Sequence, residues 1–194
     1  MKAMNPAEQP LAHQVVTPAQ RILEERARVL ARLPEAARRG QETLELVTFH
    51  LGGEAIGLPS ALVYEIQPLR IFQWAPVPCA PPFILGILNL RGHLFSIMDL
   101  ARFWGLPARP LADQAHILLV RGGRCADGQP MELTLLADDV PQVDEALLSS
   151  LSPPPAILPP QVQDYVKGIT PDLLIVLDLE RLLSDPHLIV HEEP

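Results

Sequence analysis

The sequence predicts a mainly β protein built from two small lobes that share one hydrophobic interior. Apolar residues occupy both faces of the first strand, and a block of strand, turn and short-helix signals occurs twice. The chain also holds 22 prolines. Proline lacks a backbone donor and is confined to edges, turns and loops, so many short elements joined by stiff connections are expected.

Residues 17–33 read as a long helix that precedes the β region. Thr17, Pro18 and Gln20 supply an N-cap, a first-turn proline and a capping-box partner in the right order, and Pro34 ends the run. Ile22, Leu23, Ala27, Leu30 and Leu33 recur at three- and four-residue spacing, while Arg21, Glu24, Glu25, Arg28 and Arg32 fill the other faces. Such a stripe suits a helix packed on its own domain and equally one offered to a partner. The pattern does not separate the two.

From Thr43 onward the pattern turns to β. Glu45, Val47, Phe49 and Leu51 share one strand face, Leu44, Leu46, Thr48 and His50 the other, and Gly52-Gly53 follows as a hairpin turn. Apolar residues on both faces fit the wall of a closed or strongly curved sheet. Further strands are expected at 54–58, 63–68, 69–75 and 93–98. Asp99 then caps a short helix over 100–104, which Gly105 closes.

Gly86-Ile87, a strand, and Asp99-Leu100-Ala101-Arg102 return as Gly168-Ile169, a strand over 173–177, and Asp178-Leu179-Glu180-Arg181. Gly52-Gly53, with its apolar strand ending near Val63 and Ile66, returns as Gly122-Gly123 with 133–136, Val140 and Val143. Loops at 124–130 and 152–160 absorb the uneven spacing between the copies. Each copy is too small to be stable by itself, so the two lobes should share a seam.

Charge is unevenly spread. Residues 1–40 carry seven Lys/Arg against four Glu, and the remainder carries eight against nineteen acidic residues. An acidic body disfavours phosphate backbones, so nucleic acid is not an expected partner. No apolar run reaches the roughly 18 residues of a membrane span, and residues 1–10 lack the greasy stretch of a signal peptide. A cytoplasmic protein without direct membrane insertion is expected. Cys79 and Cys125 stand far apart, outside any CxxC or metal-knuckle spacing, so reduced thiols are expected.

An enzyme needs acids, bases or nucleophiles that converge, and His93, Ser96 and Asp99 are the nearest local set. Strand alternation places His93 with Phe95, Ile97 and Asp99 and turns Ser96 the other way, while Asp99 is better used as a helix cap. His13, His50, His93, His116, His187 and His191 form no HExxH or comparable pair, and neither Gly-Gly pair continues into a phosphate loop. No catalytic, metal or cofactor site is expected. What remains is Arg91 in the apolar segment Gly86-Ile87-Leu88-Asn89-Leu90-Arg91-Gly92. It is either a structural arginine paired within the fold or one presented for recognition.

Residues 49–59, Val63-Tyr64-Glu65-Ile66, the stretch from Pro76 through Asn89-Leu90-Arg91-Gly92, and Ile97-Met98-Asp99-Leu100 resemble the CheW-like domain family. In the second half Leu136-Ala137-Asp138-Asp139-Val140, the prolines after Ser152, Tyr165-Val166-Lys167-Gly168 and Leu177-Asp178-Leu179 follow that family's order. The resemblance divides the chain into an extension (1–42), a CheW-like domain (43–184) and a tail (185–194). It implies two intertwined SH3-like five-stranded β barrels around a shared seam, and a non-catalytic adaptor without cofactor. The implied partners are the regulatory domain of a CheA-type histidine kinase and the cytoplasmic tip of methyl-accepting chemoreceptors. Val63, Glu65, Asn89, Arg91 and Val140 are the receptor- and kinase-binding residues it implies, with a Glu65–Arg91 ion pair as an added expectation. Phe95-Ser96 departs from the family pattern, so irregular pairing is expected there, and 127–130 looks like an enlarged hairpin. A regulatory β module binding a kinase alone, and a small-molecule-binding barrel, are the competing functions.

Overall fold

The computed structural model describes residues 42–107, 109–123, 128–156 and 158–188. The helix expected at 17–33, Cys125 and most of the tail lie outside the described residues. The described chain runs β1 (Thr43–Leu51), β2 (Glu54–Pro59), β3 (Val63–Pro68), β4 (Trp74–Ala75), β5 (Ile84–Leu90), β6 (His93–Met98), α1 (Leu100–Phe103), β7 (His116–Gly122), β8 (Met131–Ala137), β9 (Gln142–Leu147), α2 (Pro160–Gln163), β10 (Val166–Ile169), β11 (Ile175–Leu177) and α3 (Leu179–Leu183).

The strands form two sheets, in the orders β10-β11-β2-β1-β9 and β3-β7-β8-β6-β5-β4. These orders correspond when the strands of the two halves are matched in chain order: β7 matches β1, β8 matches β2, β9 matches β3, and β10 and β11 match β5 and β6. Each lobe therefore combines the opening hairpin of one copy with the later strands of the other. The joints between copies are antiparallel at β1–β9 and β3–β7. They are parallel at β2–β11 and β6–β8, where Gly57 faces Val176 and Thr134 faces Ile97.

Strand alternation sorts the apolar residues into three interiors. Val47, Phe49 and Leu51 point from β1 into the seam with Leu118, Val120, Leu133, Leu135, Met98 and Leu177. Leu44 and Leu46, on the opposite face of β1, pack with Ala146, Val176 and Leu174 inside the first lobe. Leu88, Leu90, Ile97, Ile117 and Leu136 fill the second. Period-2 alternation and burial of both faces are thus the same fact, because each strand separates a lobe interior from the seam.

The two Asp-Leu motifs act as caps. Asp99 accepts hydrogen bonds from the Ala101 and Arg102 backbone N–H groups, and Asp178 accepts one from Arg181. The repeated Gly-Ile is a close crossing: a Cβ on Gly86 would fall 2.3 Å from the Ala75 carbonyl oxygen, and one on Gly168 would fall 2.9 Å from Leu151 Cβ.

Several expectations are corrected. Residues 69–75 are not one strand: Leu69–Ile71 form a 3-10 turn after Pro68, and only Trp74–Ala75 pair, with β5. Leu69 is buried and donates its N–H to the Ala115 carbonyl, which turns the chain out of the sheet. The apolar segment around Asn89 is itself strand β5. Phe95 and Ser96 pair regularly, opposite Leu88 and Ile87; the irregularity lies at Ile84–Gly86. Leu173 belongs to a turn ahead of β11, with its N–H donated to the Thr170 carbonyl.

Candidate recognition surface

The candidate site is built on the β5–β6 hairpin. Leu90 pairs with His93, so the loop consists of Arg91 and Gly92 alone, with φ of 55° and 89°. Positive φ at both positions of a two-residue loop is the type I′ turn, whose twist matches that of the flanking strands. Glycine adopts that freely, whereas an L side chain in the left-handed region costs roughly 1–2 kcal/mol. Asn89 supports the turn by accepting the Gly92 N–H on its Oδ1 at 2.8 Å. An arginine is thus held in a strained conformation at a hairpin tip, with its side chain 77% exposed.

Arg91 Nη2 donates to Glu65 Oε1 at 3.1 Å. Glu65 stands on β3, and β7, β8 and β6 lie between β3 and β5 in the sheet order. The contact therefore shows the sheet rolled on itself, as closure of a barrel requires. The Glu65 side chain is only 15% exposed, and its Oε1 also accepts from Gln67 Nε2 at 3.1 Å. With one partner so exposed, the pair is worth about 0–1 kcal/mol to folding. Its evident effect is to orient a guanidinium whose remaining donors face outward.

The other expected residues are placed differently. Val63 is half-buried, packs against the seam and pairs with Val120 at the start of a register shift on β3. Val140 is exposed on the β8–β9 loop, and that loop is strapped to the β1–β2 hairpin. Asp139 accepts the His50 N–H at 2.9 Å and lies 2.6 Å from His50 Nδ1, while Asp138 accepts the Gly52 N–H at 2.7 Å. An ion pair thus joins Glu65 and Arg91, Asn89 braces the same turn through Gly92, Val63 shares a strand with Glu65, and Val140 occupies a separate loop.

Two further side chains belong to this surface. Gln67 holds Glu65, and the i, i+2 spacing on one strand face could have revealed it. Tyr64 is exposed, its ring 5.9 Å beneath the Arg121 guanidinium, which also lies 3.2 Å from Glu132. Tyr64 is the extra residue where the β3 register shifts between Val63 and Glu65, and neither that shift nor its cation partner on β7 is visible from local sequence. Together these groups offer fixed charge, directed donors and an aromatic face, which are means of recognition.

The CheW-like domain family model matches residues 45–187. Chemotaxis protein CheW of Treponema pallidum is 29% identical over 160 residues, covering 81% of this chain and 91% of that protein. Protein PilI of Pseudomonas aeruginosa is 31% identical over 108 residues, 55% of this chain and 60% of its own length. The crystal structure of scaffolding protein TtCheW from Thermoanaerobacter tengcongensis superposes with a TM-score of 0.61 at 27% identity, covering 75% of this chain and 95% of that one. With the family model spanning both exchanged lobes, the Arg91 hairpin of the second included, this chain belongs to the CheW-like domain family.

Proposed function

We propose that the protein is a non-catalytic adaptor that couples chemoreceptors to a CheA-type histidine kinase in a chemosensory array. The observation that carries the reading is the strained Arg91 turn, oriented by Glu65, on a fold shared with a scaffolding protein. Strain retained at an exposed tip has no benefit for folding and is expected where a partner uses the side chain. Val63, Glu65, Asn89, Arg91 and Val140 are the proposed binding residues. Arg91 and Glu65 contribute charge and direction, Asn89 shapes the turn, Val63 anchors β3, and Val140 supplies apolar contact on its own loop. Residues 43–184 are the coupling domain. Modest individual contacts suffice because an array holds many copies at once.

Among the described residues no helix is long and apolar enough to cross a membrane. In the proposed role the protein is cytoplasmic and reaches the inner face of the membrane through its receptors. The test is a pull-down of the purified chain with a receptor cytoplasmic fragment and a CheA-type kinase. Formation of a ternary complex with altered autophosphorylation is expected, and Arg91→Ala or Glu65→Ala should weaken it about tenfold or more. Retention of the kinase alone would replace the adaptor with a kinase-only regulatory module. Undiminished binding by both variants would remove Arg91 and Glu65 from the site.

A further inference from the structure

Arg109 lies in the linker between the two copies, outside both sheets, and no sequence motif singles it out. Its Nη1 donates to Asp99 Oδ1 and Oδ2 at 3.1 and 3.3 Å. Its Nε reaches Asp138 Oδ1 and Oδ2 at 3.2 and 3.0 Å, and Nη2 reaches Asp138 Oδ1 at 2.7 Å. One planar guanidinium thus faces two carboxylates at once, a geometry its fixed fork of donors allows and an ammonium does not.

The two aspartates belong to different working parts. Asp99 is 2% exposed, follows β6 directly and caps α1, so it stands at the base of the hairpin whose tip is Arg91. Arg102 Nε lies 3.4 Å from the same carboxylate. Asp138 opens the Val140 loop and accepts the Gly52 N–H from the β1–β2 hairpin of the first lobe. Burial alone would lower the Arg109 pKa, but the Asp138 and Asp99 carboxylates outweigh it and hold the guanidinium above its ordinary value.

We propose that Arg109 is a positioning residue: beyond the end of the parallel β6–β8 pairing at Met98 and Leu135 it clamps the start of the Val140 loop, and through Asp138 the first-lobe hairpin, to the base of the Arg91 hairpin, and so holds the exposed loop in place relative to that hairpin. The part of this inference that concerns binding rests on the adaptor reading. The fastening itself does not.

The experiment has two arms, both on the full chain. Amide hydrogen exchange is compared between the parent and Arg109→Met. Acceleration of about tenfold or more at Gly52 and His50, with Leu118 and Leu135 unchanged, is expected; unchanged exchange at Gly52 overturns the proposal. Removing the cation leaves Asp99 buried with fewer partners, so the variant can fail to fold. In that event Arg109→Lys, which keeps charge but cannot span both carboxylates, is read in the same way.

The second arm is a double-mutant cycle for binding of the receptor fragment and the kinase regulatory domain. Arg109→Met and Val140→Ala should each weaken binding, and the double variant should bind no more weakly than the weaker single one, because Arg109 acts through the loop. Fully additive losses overturn the positioning role in favour of a general effect on stability. Arg109→Lys should recover part of the lost affinity. If the parent chain binds neither probe, the adaptor reading fails, and the exchange arm still decides whether Arg109 fastens the Val140 loop and the Gly52 hairpin.

Discussion

At the scale of single residues, the surface trades conformational ease for presentation. Arg91 occupies a position that glycine would fill at no steric cost, and its exposed ion pair adds little to stability. Arg91→Gly should therefore unfold in urea within about 1 kcal/mol of the parent, because relief of the left-handed strain offsets the lost pair. The same variant should lose receptor and kinase binding. A large loss of stability would instead make Arg91 a structural arginine. Tyr165 and Asp185 illustrate the opposite case, a contact made for the fold. The Tyr165 hydroxyl donates to Asp185, and burial together with that carboxylate pushes the phenol up to about 12. Folding thus favours the protonated phenol: its contribution is complete below the ordinary value near 10 and fades as pH rises through about 12. Burial pushes the Asp185 carboxyl up, but the Tyr165 hydroxyl and the His187 N–H donors outweigh this and hold it below its ordinary value. Its contribution is present above the ordinary carboxylate pKa and is lost as pH falls through the lowered one. Tyr165→Phe should flatten the stability profile between pH 10 and 12 relative to the parent, as measured by urea unfolding across that range. Matching profiles would show that the hydroxyl contributes nothing.

At the scale of elements, the repeated Gly-Ile makes the clearest case that sequence pattern and packing agree. Gly86 and Gly168 recur because a neighbouring segment crosses each strand at a distance that excludes a Cβ. At Gly86 the obstacle is the Ala75 carbonyl and the Trp74 ring; at Gly168 it is the Leu151 side chain and the Ser152 carbonyl. Backbone yields less readily than a side chain. Gly86→Ala should then destabilise by roughly 2–3 kcal/mol and Gly168→Ala by roughly 1 kcal/mol, both within the usual range for overpacking. Equal effects, measured by urea unfolding, would mean that β4 moves aside without loss. Alternation made β1, β2, β3 and β6 legible, and the Asp99 cap was legible from its place before an apolar turn. Residues 69–75 were not, because apolar composition does not distinguish a strand from a 3-10 turn anchored by one buried leucine. The Arg91–Glu65 pair was legible only through the family resemblance. Arg109 was not legible at all, since its partners lie 10 and 29 residues away and meet only once β6 and β8, from different copies, lie side by side.

At the scale of the whole molecule, the duplication was visible in the residue pattern, whereas the exchange of strands was legible only through the resemblance to a family of intertwined barrels. Periodicity reports which face of a strand is buried but says nothing about which strand lies beside it. The exchange has a direct consequence. A chain cut in the 105–115 linker gives an N-terminal piece whose β1–β2 hairpin has lost both β9 and β11, and a C-terminal piece whose β7–β8 hairpin has lost β3 and β6. Each seam residue, Val47 and Leu58 on one side and Leu118 and Leu135 on the other, would then face water across half of its surroundings. Isolated hairpins are marginal in water, and roughly 1.5–3 kcal/mol is forfeited for every large apolar side chain returned to solvent. Fragments 1–107 and 108–194 should each be unfolded when made alone, with collapsed amide dispersion in proton–nitrogen correlation spectra. Mixed or co-expressed, they should associate as a one-to-one complex whose spectrum matches that of the intact chain. Had the lobes been sequential copies, each fragment would retain a complete sheet, and a single fragment that unfolded cooperatively would refute the exchanged topology. The same argument makes the two lobes one mechanical unit: no lobe can move independently when its strands belong to both halves of the chain.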